Sequence, residues 1–306
     1  MIKKFILKIL LFCFTALITL LTVLLISSNY VKKRNFKNSE TESNTLFLKS
    51  NKNYDLMFMG ISHARNFSRY HNQERVEKIL NKSLVNLGQG EGKCSINEQL
   101  FYLEYFYYKQ NKVDTIVYVL TPPLFTSEKL PIASNTFDNE VFDFEFLYTY
   151  LNFKSENKYE RIVQYIQSKL KKSWIKTMPD NRMSKADSLV GVDIVAVRKG
   201  IKLASNEKFN KKRFDYSCKK IEETIAIATQ NNSTVMFIIP PAVFGKWNEH
   251  EQVIKFAKSM RVKYNIKYAD FSESILEPRY YYDHHHLNTK GVCFFTEKYL
   301  KNFLKD

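Results

Sequence analysis

The sequence predicts an α/β protein: a three-layer α/β/α sandwich around a roughly five-stranded parallel sheet, preceded by an N-terminal transmembrane helix. Three observations lead there. Short, continuously apolar runs alternate with longer segments of helical periodicity, the pattern of strands buried on both faces between helices. Glycine is scarce, eight in 306 residues, and five of the eight fall at the ends of the apolar runs or at the start of the last helical segment. The chain also opens on a basic and then uncharged apolar stretch long enough to cross a bilayer.

The strands follow in order. Tyr54–Gly60 reads YDLMFMG, Ser83–Gly88 reads SLVNLG and Asp114–Leu120 reads DTIVYVL; Thr234–Pro240 and the shorter Ile266–Phe271 complete the five. Helical periodicity covers Arg65–Lys82, Asn97–Gln110, Phe209–Thr229, Glu249–Tyr264 and Asn288–Leu304. One region interrupts the alternation. Residues 125–205 separate the third and fourth strands and read as a helical insertion. There Tyr159, Ile162, Val163, Ile166, Leu170 and Trp174 recur at helical spacing with lysines between them. This stripe packs on the domain, or alternatively makes a basic surface helix for a membrane or a partner.

The N-terminal anchor covers residues 1–27. MIKKFILK is basic, and Ile9–Ile26 carries no charge over 18 residues, about the minimum for a span. It is too long for a signal-peptide core and lacks a small-residue cleavage site, which fits an uncleaved signal anchor. Phe12 spoils a lipobox at Cys13. Lys3, Lys4 and Lys8 precede the span, while Lys32, Lys33, Arg34 and Lys37 follow it, so charge alone does not orient it. Residues 28–50, polar and rich in lysine and serine, read as a stalk. Residues 51–306 form the domain.

Net charge is +16, with 44% hydrophobic and 15% aromatic residues. Such a charge favours anionic surroundings. The lysines are dispersed, however, and no nucleic-acid motif is present, so nucleic acid is not an expected partner. The four cysteines, Cys13, Cys94, Cys218 and Cys293, have neither zinc nor disulfide-framework spacing.

In a parallel α/β sheet, ligands sit beyond the carboxyl ends of the strands. The first such end reads GISHARNF, placing Ser62 on the strand-to-helix turn. A serine there presents its hydroxyl at the sheet edge and its N–H at a helix start; it could equally be a plain N-cap. His63 reads as a site-edge residue. The second end reads NLGQGEGKCS, Asn86–Ser95, a glycine loop able to offer another N–H, from Gly88. It matches no phosphate-binding loop. Before the last helix stands YYDHHHLNTKG, Tyr281–Gly291. Asp283 and His286 are three apart, so the carboxylate can hold one imidazole nitrogen while the other faces a serine. Consecutive histidines point in different directions, and zinc sites use spaced ligands. No metal and no cofactor is assigned, and His284 and His285 read as loop residues at the site mouth.

Together, GISHA, the glycine loop and DHHHLN resemble the SGNH/GDSL hydrolase superfamily, whose last block is D-x-x-H, often followed by L-N and a glycine: here Asp283, His286, Leu287, Asn288 and Gly291. The resemblance implies a flavodoxin-like fold, Ser62 as nucleophile, His286 as base and Asp283 as its orienting carboxylate. It further implies an oxyanion hole from the backbone N–H groups of Ser62 and Gly88. The family's third block often adds an asparagine; here that place reads LTPPLF, Leu120–Phe125, without one. The anchor and the G-x-S block also resemble DltD-like and alginate-acetylation-like envelope branches. That likeness implies a single-pass protein of the cytoplasmic membrane with its catalytic domain outside. Its expected partners are the membrane, an envelope glycan or acylated polymer as substrate, and a membrane acyl-donor protein. Two functions follow: a serine acyl hydrolase or O-acyltransferase (an esterase when water is the acceptor), or a non-catalytic envelope protein of the same fold that binds a polymer or a membrane partner.

Overall fold

The computed structural model describes residues 2–35, 48–90, 95–126, 136–138, 140–175, 182–204 and 209–305. Five strands form one parallel sheet: β1 (Asn53–Gly60), β2 (Leu84–Asn86), β3 (Lys112–Val119), β4 (Thr234–Ile239) and β5 (Lys267–Asp270). Their spatial order is β2-β1-β3-β4-β5. The β1/β3 register sets Met57 beside Ile116 and Gly60 beside Val119.

Both faces of the sheet are buried, which is why the strands read as unbroken apolar runs. Met57, Met59, Ile116, Tyr118, Phe237 and Ile239 face one core cluster. Their neighbours Leu56, Phe58, Val117, Val119 and Ile238 face the other. Helices α4 (Ile96–Tyr108), α10 (Lys211–Gln230) and α11 (His250–Tyr264) cover the first face. Helices α3 (Asn72–Leu80) and α12 (Thr289–Phe295, continued as a wider turn and a last turn to Phe303) cover the second. The result is the three-layer sandwich the periodicity predicts.

Three expectations are corrected. The helix expected over Arg65–Lys82 is broken. A four-residue turn, α2 (Ser62–Arg65), is separated from α3 by a short 3-10 turn in which Tyr70 and His71 adopt positive φ, 58° and 56°. Side chains hold this kink: Arg75 donates to the carbonyls of Tyr70 and His71, and Asn72 to that of Asn66.

The apolar stripe of the insertion does not all face inward. The insertion holds α5 (Pro122–Thr126), α6 (Phe144–Asn152), α7 (Lys158–Ser168), α8 (Lys172–Ile175) and α9 (Ile194–Ala204). In α7 the buried residues are Arg161, Tyr165 and Ser168, whereas Tyr159 is 78% exposed and Val163 50%. Polar anchors set this rotation. Arg161 pairs with buried Glu98 at 3.3 Å, and the Tyr165 hydroxyl donates to Val141 O at 2.7 Å while accepting from Asp143 N–H. Ile162 and Ile166 pack partly and Trp174 fully.

The N-terminal helix α1 (Ile2–Asn35) runs past the apolar stretch, into residues expected to begin the stalk. It is long and apolar enough to cross a membrane. Near its end Leu24, Ser28 and Val31 are buried, and Ser28 Oγ accepts the Phe142 N–H at 2.8 Å. Residues 36–47 of the expected stalk lie outside the described residues.

Candidate active site

Ser62 lies two residues past the end of β1, at the start of α2. The backbone turns there through Gly60, at φ +136°, where an added Cβ would stand 2.8 Å from Val119 O; only glycine meets both demands. Ser62 is half-buried. As the first residue of a helix its N–H has no intrahelical partner.

Asp283 and His286 come from the loop between β5 and α12. An antiparallel bridge, Tyr281 to Leu287, closes that loop, and Tyr282 N–H donates to His286 O at 3.1 Å. Inside it the Asp283 carboxylate works as a local template: Oδ1 accepts the N–H groups of His285 (2.9 Å) and His286 (2.7 Å), and Oδ2 is 2.8 Å from His286 Nδ1. His286 Nε2 is 2.7 Å from Ser62 Oγ, across 224 positions of sequence. An ionised carboxylate only accepts, so Nδ1 carries the proton and Nε2 offers its lone pair to the serine hydroxyl. Burial alone would push the Asp283 carboxyl up. The hydrogen bond from the His286 ring, the electrostatic contributions of the neighbouring His286 and His285 rings, and the His285 N–H outweigh it and hold the group well below the usual carboxylate range.

Several further residues fix this line. Asn288 caps α12 by accepting the Gly291 N–H (2.9 Å), while its amide donates to Arg279 O (2.9 Å) and Asp187 O (3.0 Å). A Cβ on Gly291 would meet Tyr280 O at 2.1 Å. The L-N-x-x-G pattern therefore clamps the loop that carries the base. Asn66, one turn past Ser62, donates to Leu287 O at 3.1 Å and joins the nucleophile's turn to that loop. The Tyr282 ring stacks on His286, centroids 5.5 Å apart and 5° from parallel. The end of the insertion lies against the same loop, with Lys185 paired to Thr289 and Leu189 N–H donating to Tyr281 O.

Gly88, expected to offer its N–H to an oxyanion, donates that N–H to Asn86 Oδ1 at 2.8 Å. Its lack of a side chain serves packing instead: a Cβ would stand 2.7 Å from Arg65 N and 2.8 Å from Ala64 Cβ. Of the remaining loop, Gly90 lies against the Arg65 guanidinium, while Gly92 and Cys94 lie outside the described residues. Asn86 stands in the motif, where the sequence alone assigns it no role. Nothing in the sequence marks Thr121 either. It is wholly buried at the carboxyl end of β3, and its hydroxyl has no hydrogen-bond partner among the described residues.

The three consecutive histidines separate. His286 faces Ser62. His284 lies against Gly200 of α9, where a Cβ would touch its Nε2. His285 lies beside His286, ring centroids 4.0 Å apart and planes tilted by 45°. His63 turns inward, 6% exposed, with its ring 4.8 Å from that of His286 and 5.3 Å from that of His285. Burial, then the proximity of His286, pushes the His63 and His285 imidazoles below their ordinary value, so both are neutral.

No protein-family model and no curated protein matches the sequence. Among solved structures, the chain is similar to a candidate acylhydrolase from Bacteroides fragilis NCTC 9343, at 13% identity over 89% of this chain and 98% of that one, with a TM-score of 0.44. It is also similar to a GDSL-like lipase from Bacteroides thetaiotaomicron VPI-5482, at 11% identity over 91% of this chain and 96% of that one, with a TM-score of 0.42. Likeness of this degree carries no conclusion about chemistry, which rests on the geometry of Ser62, His286 and Asp283.

Proposed function

We propose that the protein is an SGNH-type serine acyl hydrolase or O-acyltransferase. The observation that carries this reading is the continuous line from Asp283 Oδ2 through His286 to Ser62 Oγ, with contacts of 2.8 and 2.7 Å. Its order along the chain and its place at the carboxyl edge of the sheet agree with the SGNH/GDSL resemblance. Ser62 Oγ attacks an ester or thioester carbonyl as its proton passes to His286 Nε2. The carbonyl oxygen becomes an oxyanion beside the Ser62 N–H. Collapse breaks the bond to the leaving oxygen or sulfur, which takes the proton from His286 and leaves an acyl-serine. Water, or a sugar hydroxyl, then gives its proton to His286 and attacks that ester, freeing Ser62. Asp283 holds the imidazole in the productive tautomer and stabilises its charged form without taking the proton.

With Gly88 engaged, the second oxyanion donor in this reading is the Thr121 hydroxyl. The β1/β3 register pairs Gly60 with Val119, so Ser62 and Thr121 each follow two residues after neighbouring strand positions, and the Thr121 hydroxyl is buried and unpartnered among the described residues.

The anchor helix and the net charge of +16 support a finer reading: a single-pass protein of the cytoplasmic membrane, its domain outside, acting on an acyl ester of an envelope glycan or polymer, with a membrane protein as acyl donor. A second reading, a non-catalytic binder of the same fold, draws on the engaged Gly88 N–H. A fluorophosphonate probe decides between them. Labelling at Ser62, lost in Ser62→Ala and His286→Ala, supports the enzyme; a folded protein that never labels supports the binder.

A further inference from the structure

Beside the Ser62 line lie two imidazoles that the acyl chemistry does not use. His63 is 6% exposed, and among the described residues no well-aligned hydrogen bond reaches either of its ring nitrogens, although the His285 backbone lies close enough to act on the ring; Nδ1 of His285 is also buried without a hydrogen bond, with Asp283 Oδ1 3.8 Å away. An unpaired buried polar atom costs free energy and calls for a reason. One nitrogen from each of His63, His285 and His286 lies within 4.8 Å of the others. These three come from two loops far apart in sequence, and the fold sets His63 where a reading of the HHH run alone would put His284.

We propose that His63, His285 and His286 form a site for a borderline-soft divalent cation, Zn²⁺ first among them, whose binding reversibly blocks the serine. Two chemical features support it. Neutral imidazole is a preferred zinc ligand, and three of them leave a fourth position for water or the Ser62 hydroxyl. The contact of 2.8 Å between Asp283 and His286 Nδ1 is also the carboxylate–histidine arrangement that orients a zinc ligand from behind.

Tetrahedral zinc with bonds near 2.0–2.1 Å puts its nitrogens about 3.3 Å apart, so these three must close by at most about 1.5 Å. The terminal imidazole torsion is broad enough to supply such movement by ring rotation. The consequence for Ser62 is direct. Zinc takes the Nε2 lone pair of His286, the same pair that accepts the serine proton, so metal binding and nucleophile activation exclude each other. The block rests on the proposed acyl chemistry; the binding does not.

The test uses the full-length protein in detergent. Zn²⁺ affinity is measured by competition with a chromophoric chelator, and the probe reaction at Ser62 is timed with and without Zn²⁺. One Zn²⁺ per chain is expected, with slowed labelling restored by chelator. His63→Gln and His285→Gln should each weaken Zn²⁺ by more than ~10-fold and bring the ratio of labelling rates with and without metal close to one; His284→Gln should do neither. In the unaltered protein, Zn²⁺ should protect His63, His285 and His286, but not His284, from diethylpyrocarbonate, which needs no variant to fold. A void of about 10 Å³ beside His63 and His285 has room for about one water, so water is the rival occupant. Absence of stoichiometric Zn²⁺, unchanged affinity in His63→Gln, or equal protection of all four histidines removes the site. Zinc binding by a protein that never labels leaves the site standing and removes the acyl reading alone.

Discussion

The side chain of Asn86 donates to the carbonyl of Ala64 at 2.8 Å, tying the end of β2 to the turn that carries Ser62. Its Oδ1 holds the Gly88 N–H at the same distance. One wholly buried amide thus joins nucleophile turn and glycine loop. Asn86→Ala strands both partners, at about 1–3 kcal/mol for each group left unpaired. Thermal unfolding should show that loss. Probe labelling at a temperature where the variant remains folded should also slow, because the turn carrying Ser62 loses its brace. A variant as stable and as reactive as the parent would refute this role.

In the proposed acyl chemistry Ser62, His286 and Asp283 act as a unit. Ser62→Ala and His286→Ala should each cut ester hydrolysis by on the order of 10³-fold or more, and the double variant should be little worse than either. Asp283→Asn should also cost heavily, through the wrong tautomer. Multiplicative losses in the double variant would show that the two residues work independently, against the reading given above.

Gly60 tests the turn that leads to Ser62. Alanine there meets an unfavourable φ and a carbonyl 2.8 Å from its Cβ, a strain of about 1–3 kcal/mol. Denaturant unfolding should give a lower midpoint with an unchanged slope. An unaltered midpoint would mean the turn is looser than described.

Stability should fall on acidification. His63 and His285 are held below their ordinary value, by burial first and then by His286, so near pH 6 the unfolded chain binds more protons than the fold. Stability therefore rises with pH here: it is fully present above about 6.5 and falls as pH drops from there toward the folded values. Melting temperatures from pH 7 to 5 should decline, and decline less in His63→Gln. Asp283, held low, stays ionised throughout this window. An equal decline in parent and variant would exclude His63 as a contributor.

For topology, a reporter fused after Asp306 should be active only outside the cytoplasm. Cytoplasmic activity would overturn the orientation and the envelope substrate with it.

Much of this protein is determined by its sequence alone. Strands buried on both faces must be apolar throughout, so β1, β3 and β4 announce themselves, as does α1. The D-x-x-H spacing fits Asp283 and His286 to one short loop, because a local template of hydrogen bonds needs only neighbouring residues. What tertiary structure decided are contacts between distant segments, which leave no periodic trace. Arg161 and Tyr165 turned α7 by finding Glu98 and Val141. Asn86 claimed the Gly88 N–H that the motif offered to an oxyanion. His63 met His285 and His286, while Gly200 drew His284 away. A hydrogen bond or a ring contact depends on position to within an ångström, and that precision exists only once the sheet brings remote loops to one edge.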